Sequence, residues 1–340
     1  MGQTRGNTMA QPAGPIDIHA HVVPGAFPAR DLPGWPSMAP AEGGQRHVMI
    51  DGKPYRTVAA RCWDVALRLA DLDAKGLARQ AISPMPELFS YWMPAEAAVP
   101  LLRHVNDCTA EMVAASGGRL IGLAALPMQD LDAALTEMRR AKEELGFAGV
   151  EIGSNINGTV IGDAALRPFF AAAEQLGMAV LVHPVRPAGM DRLVGPKNLQ
   201  QALGYPSEIG LAAASVITSN LMLRHPALRL CFSHGGGTLA SLLPRLEQAW
   251  HTFPALRDSI EEAPSAQARR FFVDALVFDA PMLRHLLGVM GPERLLLGTD
   301  DPFAFRENDP VGRIAEVLEP GTAREAVLRD NALSFLGLPA

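Results

Sequence analysis

Four short apolar runs in this chain each end in a side chain able to bind a metal ion: Ile16-Asp17-Ile18-His19-Ala20-His21, Val180-Leu181-Val182-His183, Leu230-Cys231-Phe232-Ser233-His234 and Leu295-Leu296-Leu297-Gly298-Thr299-Asp300. Each reads as a buried strand that delivers a His or Asp at its C-terminal end. In a parallel barrel all such ends open on one face, so residues far apart in sequence can meet at one ion. His19 and His21 are two residues apart, which puts both imidazoles on one side of a strand. Mixed imidazole and carboxylate donors suit Zn²⁺, with Mn²⁺, Fe²⁺ and Co²⁺ as alternatives.

Other residues admit more than one reading. Asp17 is a candidate partner for a ligating histidine. Asp274, at the end of another apolar run, is a reserve for acid/base or supporting work. Asp301 competes with Asp300 as ligand or helix cap. His234 precedes Gly235-Gly236-Gly237, which lets backbone approach a ligand closely. His-Gly-Gly-Gly also occurs in the oxyanion hole of esterases, but the chain has no G-x-S-x-G nucleophile elbow. Arg56 has the planar fork that clamps a carboxylate, or is a solvated arginine. Phe89-Ser90-Tyr91-Trp92 offers packing or an apolar wall, through Phe89 and Trp92, for a ring-like or diene substrate. Arg245 lies on a helix after the glycines and reads by itself as a surface residue.

The elements that must position these residues alternate. Strands are expected at 16–19, 80–84, 120–126, 149–153, 179–183, 229–233, 270–274 and 294–299. Helical periodicity lies between them, near 65–72, 95–116, 130–145, 164–177, 207–224, 238–252 and 281–290. Eight strands alternating with helices predict an α/β fold, a (β/α)₈ TIM barrel. One or two closing helices are expected over 310–337. The rival is a doubly wound open sheet, but no G-x-G-x-x-G follows the first strand. The Pro- and Gly-rich stretch 24–60 reads as an insertion over the barrel mouth, with a hairpin turning at Asp51-Gly52. Residues 1–15 read as a disordered leader and 16–340 as one domain.

Bulk properties exclude other classes. The chain has 340 residues, 48% apolar and 19% charged, with net charge −6. A negative chain without a dense Lys/Arg run has no footprint for nucleic acid. No apolar stretch reaches the length of a membrane span, and the N-terminus lacks a signal pattern. Three cysteines without C-x-x-C spacing point to a reduced, cytoplasmic compartment.

Taken together, Ile16–His21, Arg56 with Cys62-Trp63-Asp64, Phe89–Trp92, Leu126-Pro127-Met128-Gln129, Glu144-Leu145-Gly146-Phe147, Val182-His183-Pro184, His234–Gly237, Asp274-Ala275-Leu276-Val277 and Leu297–Phe303 resemble the decarboxylase branch of the amidohydrolase superfamily, over nearly the whole chain. The resemblance implies one divalent metal, usually zinc, on His19, His21, His183 and Asp300. It implies that His234 is the acid/base beside a metal-bound water. Arg56 would hold a substrate carboxylate, and Arg245 would reach the neighbouring subunit's site in a homodimer. The implied activity is non-oxidative decarboxylation of a small carboxylated diene or aromatic acid. The alternative on the same scaffold is a metal-dependent hydrolase or hydratase. A Lys that could be carbamylated would favour a binuclear hydrolase, but the fourth strand carries Glu151 and Gly153. The chain departs from the pattern at Val185, where the family has an aromatic residue, at Asp301, where it has Tyr, and through 186–206.

Overall fold

Alternate residues of a buried strand face opposite sides, so a run such as Ala179-Val180-Leu181-Val182-His183 must be covered on both. In the computed structural model, which describes residues 13–196 and 198–339, two apolar clusters do this. Val180 and Val182 join the larger one, shared with the helices, while Ala179 and Leu181 join a smaller one with Ile16, Ile121, Leu123 and Phe272.

The eight expected strands are present: β1 Ile16–Asp17, β2 Arg79–Pro84, β3 Leu120–Ala125, β4 Gly149–Gly153, β5 Ala179–His183, β6 Arg229–Phe232, β7 Phe272–Asp274 and β8 Leu295–Leu296. They pair in parallel in that order. The ring closes between β8 and β1: Ile18 N–H donates to Leu297 O (2.9 Å), Asp300 N–H to His19 O (2.9 Å) and His21 N–H to Asp301 O (2.6 Å). The fold is a (β/α)₈ barrel. The last helix, Asn331–Leu336, joins the smaller cluster. Asn331 donates to the carbonyls of Pro292 and Leu295, which fixes this helix at the entry of β8.

Several boundaries differ from expectation. The first strand is interrupted: Asp17 pairs with Gln80, and His21, on a second short strand His21–Val22, pairs with Ser83. Four steps on one side face three on the other, so one extra residue bulges out around His19 and re-aims it. Strand seven starts two residues later than expected, because Arg270 N–H turns back to Gln267 O, and strand eight stops at Leu296, after which Leu297 and Asp300 bind across the seam to Ile18 and His19. The stretch 207–224 is two helices, Tyr205–Thr218 and Leu221–Arg224, with Asn220 at φ 57° between them.

The insertion is a three-stranded antiparallel sheet, Pro36–Pro40, Arg46–Ile50 and Lys53–Val58. Its second turn is Asp51-Gly52, both with positive φ (50° and 70°), the conformation a two-residue hairpin loop requires. A second hairpin, Asn155–Ile156 with Thr159–Val160, turns at Asn157-Gly158 and was not expected. Helices start where an aspartate accepts a first-turn N–H: Asp64 from Leu67, Asp130 from Ala133 and Asp279 from Met282. Each cap is worth about 1 kcal/mol. Among the described residues no helix is long and apolar enough to cross a membrane. The expected leader at 1–15 falls almost wholly outside the described residues.

Candidate metal centre and active-site cavity

The C-terminal ends of the strands bring His19, His21, His183, His234 and Asp300 together. His19 Nε2 and His21 Nε2 are 3.2 Å apart, and Asp300 Oδ1 is 3.0 Å from His21 Nε2 and 3.7 Å from His19 Nε2. Rings of His183 and His19 have centroids 5.2 Å apart, and those of His183 and His21 are 5.0 Å apart. His234 Nε2 lies 3.7 Å from Asp300 Oδ2, on the cavity side of the cluster.

Hydrogen bonds assign the tautomers. His19 Nδ1–H donates to Asp274 Oδ2 (2.7 Å), and His183 Nδ1–H to Pro184 O (3.0 Å). Both rings therefore present an Nε2 lone pair to the centre. Nε2 of His183 is buried without a hydrogen-bond partner among the described residues. Lone pairs this close repel, and an orphaned buried acceptor costs free energy, unless a cation sits between them. Bonds of roughly 2.0–2.1 Å at tetrahedral angles would separate donor atoms by about 3.3 Å. The observed 3.0–3.7 Å spacings fit that requirement. Two sets of donors converge closely enough to hold one divalent ion, His19, His21, Glu151 and His183, and His19, His183, His234 and Asp300; Glu151 lies 3.7 Å from His21 Nδ1.

The local fields follow from burial and neighbours. Burial alone would push His19 down, but the Asp274 hydrogen bond and the charges of Asp300 and Glu151 raise it to about 9, so a metal ion frees the Nε2 lone pair of His19 by displacing a proton. Burial lowers His21 to about 4 against the pull of Asp300, and burial with the neighbouring imidazoles holds His183 well below its usual range. Burial would raise Asp300, yet hydrogen bonds from His21 and His234 hold it well below a usual carboxylate. Burial lifts Glu151 to about 8.

A cavity of about 1380 Å³ opens over these residues and is lined by His183, His234, Asp300, Arg56, Trp92 and Tyr205, among others. Arg56 lies on the inserted strand Lys53–Val58, donates to Glu87 Oε1 (2.9 Å) and stands 4.3 Å over the Phe303 ring. Phe303 in turn stacks on His21, ring centroids 5.3 Å apart. Phe303 thus touches both the guanidinium carried by the insertion and the ring of His21.

Other candidates lie elsewhere. Asp301 points away, to Lys75 Nζ (2.6 Å) and Arg306. Asp17 accepts from Gln80, Thr299 and the His19 backbone, so it braces the strand rather than an imidazole. Phe89 does not reach the cavity: it is fully buried and stacks on Tyr91 at 5.6 Å. Alternation is lost there because 86–89 is a 3₁₀ turn. Arg245 is exposed on the helix Leu239–Thr252 and does not line this chain's cavity.

Sequence reading missed Glu87, which ties Arg56, and Arg68. Fully buried, Arg68 donates to the carbonyls of His21 and Arg61 and to Gln80 Oε1. A basic residue on the buried face of the helix Val65–Ala74 was the available signal. The triple glycine has a steric reason: His234, Gly235, Gly236 and Gly237 all have positive φ. A Cβ on Gly237 would lie 2.0 Å from Pro206 O, so the turn presses on the preceding helix, Tyr205–Thr218.

Residues 16–338 match the family model described as Amidohydrolase. The chain is 36% identical over 330 residues to 2-amino-3-carboxymuconate-6-semialdehyde decarboxylase of Dictyostelium discoideum, covering 95% of this chain and 91% of that protein. It is 29% identical over 309 residues to gamma-resorcylate decarboxylase of Rhodococcus jostii (strain RHA1), covering 85% and 92%. The solved structure of 5-carboxyvanillate decarboxylase from Sphingomonas paucimobilis superposes with TM-score 0.74 at 28% identity, covering 82% of this chain and 85% of that one. The barrel agrees with these likenesses, and the chain belongs to the amidohydrolase family, within its branch of carboxy-lyases.

Proposed function

We propose that this chain decarboxylates a small carboxylated diene or aromatic acid without an oxidant, using one divalent ion, zinc in the cell, on His19, His21, His183 and Asp300. The observation that carries the reading is His234 Nε2, set 3.7 Å from Asp300 and open to the cavity while His19 and His21 are fully buried beneath it. A bound cation supplies Lewis acidity that polarises oxygen atoms of substrate or water.

The chain's residues do the rest. The Arg56 guanidinium binds a carboxylate, and its plane is set by Phe303 and Glu87. Trp92 and Tyr205 wall the substrate. As the C–C bond breaks, CO₂ departs and its electron pair stays on the substrate carbon. The Nε2–H of His234 supplies the proton that closes that carbon, and solvent returns it. Asp274 keeps His19 in the tautomer that faces the centre. We place the enzyme in the cytoplasm, with its three cysteines as free thiols, and as a homodimer in which the exposed Arg245 enters the partner's site.

The test is a panel of carboxylated dienes and hydroxybenzoates, labelled with ¹³C at the carboxylate, in D₂O. Labelled CO₂ with one deuterium at the vacated carbon is expected. Ring opening or hydration with the label retained would overturn the reading in favour of a hydrolase or hydratase.

A further inference from the structure

Four arginines line the cavity: Arg56, Arg61, Arg186 and Arg306. Three are engaged. Arg56 donates to Glu87. Arg61 donates to Pro302 O and faces Asp71. Arg306 donates to Phe303 O and faces Asp301. Arg186 alone has no hydrogen bond or ion pair among the described residues. Its guanidinium carbon sits 4.0 Å from the centroid of the Trp92 ring, which also lines the cavity.

This placement is held against two costs. Arg186 has φ 40°, a conformation that L-residues adopt rarely and that persists where the surroundings impose it. An arginine side chain also gives up rotamer freedom to lie on one ring. A cation over an indole face offsets part of this. With its carbon over the indole ring and no hydrogen-bond partner among the described residues, the guanidinium keeps its fork of N–H donors for a carboxylate, which it can take bidentately. Arg186 is three residues beyond His183. Its Cα is therefore within about 11 Å of the Cα that carries the imidazole, from 3.8 Å per step.

We propose that Arg186, laid on Trp92, forms a second anion subsite, and that the substrate is an acid carrying a further anionic group at the end remote from the histidines. The departing carboxylate belongs near His183, Asp300 and Arg56. A second carboxylate a ring's or a diene's length away meets Arg186. The inference rests on the reading of this cavity as the site of a carboxylic acid. It assigns the divergent segment after His183-Pro184 a role in choosing the substrate.

The experiment measures calorimetric affinities on the metal-loaded enzyme for matched probes: benzoate against phthalate, isophthalate and terephthalate, and sorbate against cis,cis-muconate. At least one diacid should bind wild type roughly tenfold or more tighter than its monoacid, the lower end of what hydrogen bonds to a charged group contribute. Arg186→Met should erase that difference and leave monoacid affinity, metal content and circular dichroism unchanged. Arg186→Lys should keep part of it, since lysine supplies charge without the fork. Monoacid binding with no gain for any diacid, or a gain that survives Arg186→Met, overturns the subsite and leaves the decarboxylase reading intact. Failure of every acid to bind wild type overturns both.

Discussion

His19 Nδ1 and Asp274 Oδ2 meet at 2.7 Å with both side chains fully buried. Asp274 also accepts the N–H groups of Gly235 and Leu276, so one carboxylate sets an imidazole tautomer and the turn that follows His234. Asp274→Asn should therefore weaken metal binding by roughly 10–100-fold, the usual effect of losing such a partner. Competition against a chromophoric chelator measures it; unchanged affinity would show that His19 does not depend on Asp274.

The purified protein should hold about one divalent ion per chain, and His183→Ala should lose most of it. Elemental analysis after gel filtration is the check. Full occupancy in the variant would remove His183 from the ligand set.

His234→Asn should keep its metal and lose roughly 10²-fold or more in kcat, the range for an absent general acid. If metal leaves together with activity, His234 is a ligand and Asp300 or His21 must be reassigned.

Arg56→Lys keeps a charge but loses the fork held between Glu87 and Phe303, so kcat/KM should fall well beyond tenfold with metal and fold intact. For Arg245, mixing inactive Arg245→Ala protomers with inactive His234→Asn protomers should restore part of the activity, because one site of each mixed dimer carries neither lesion. Demonstrated heterodimers without recovery would confine Arg245 to its own surface.

Arg68→Met should cost about 2–4 kcal/mol, since it strips donors from two buried carbonyls and Gln80. Chemical denaturation reads the change. A loss under 1 kcal/mol would mean that water replaces the guanidinium.

The strand ends were legible because burial on both faces demands apolar runs, and a His or Asp closing such a run stands out. The order and count of β1 to β8 followed from that alternation. Local shape was less legible. The extra residue between Asp17 and His21 arises from pairing with β2, which no local pattern reports. Phe89 looked like a wall because it sits beside Trp92, yet a 3₁₀ turn sends the two rings to different places. Glu87 and Arg68 escaped because charged residues usually read as solvated. Only the packed structure shows that one ties Arg56 and the other props the carbonyl of His21.

The seam between β8 and β1 has a consequence for biosynthesis. Asp300 N–H binds His19 O there, so the same joint closes the barrel and brings the first strand's imidazoles to the last strand's carboxylate. During translation at roughly 5–20 residues per second, the segment after Leu297 emerges many seconds after His19 and His21. A nascent chain at that stage can offer histidines but no completed pocket. On the proposed ligand set ion capture waits for this joint, and a chain cut short before Asp300 should neither close the ring nor hold its metal.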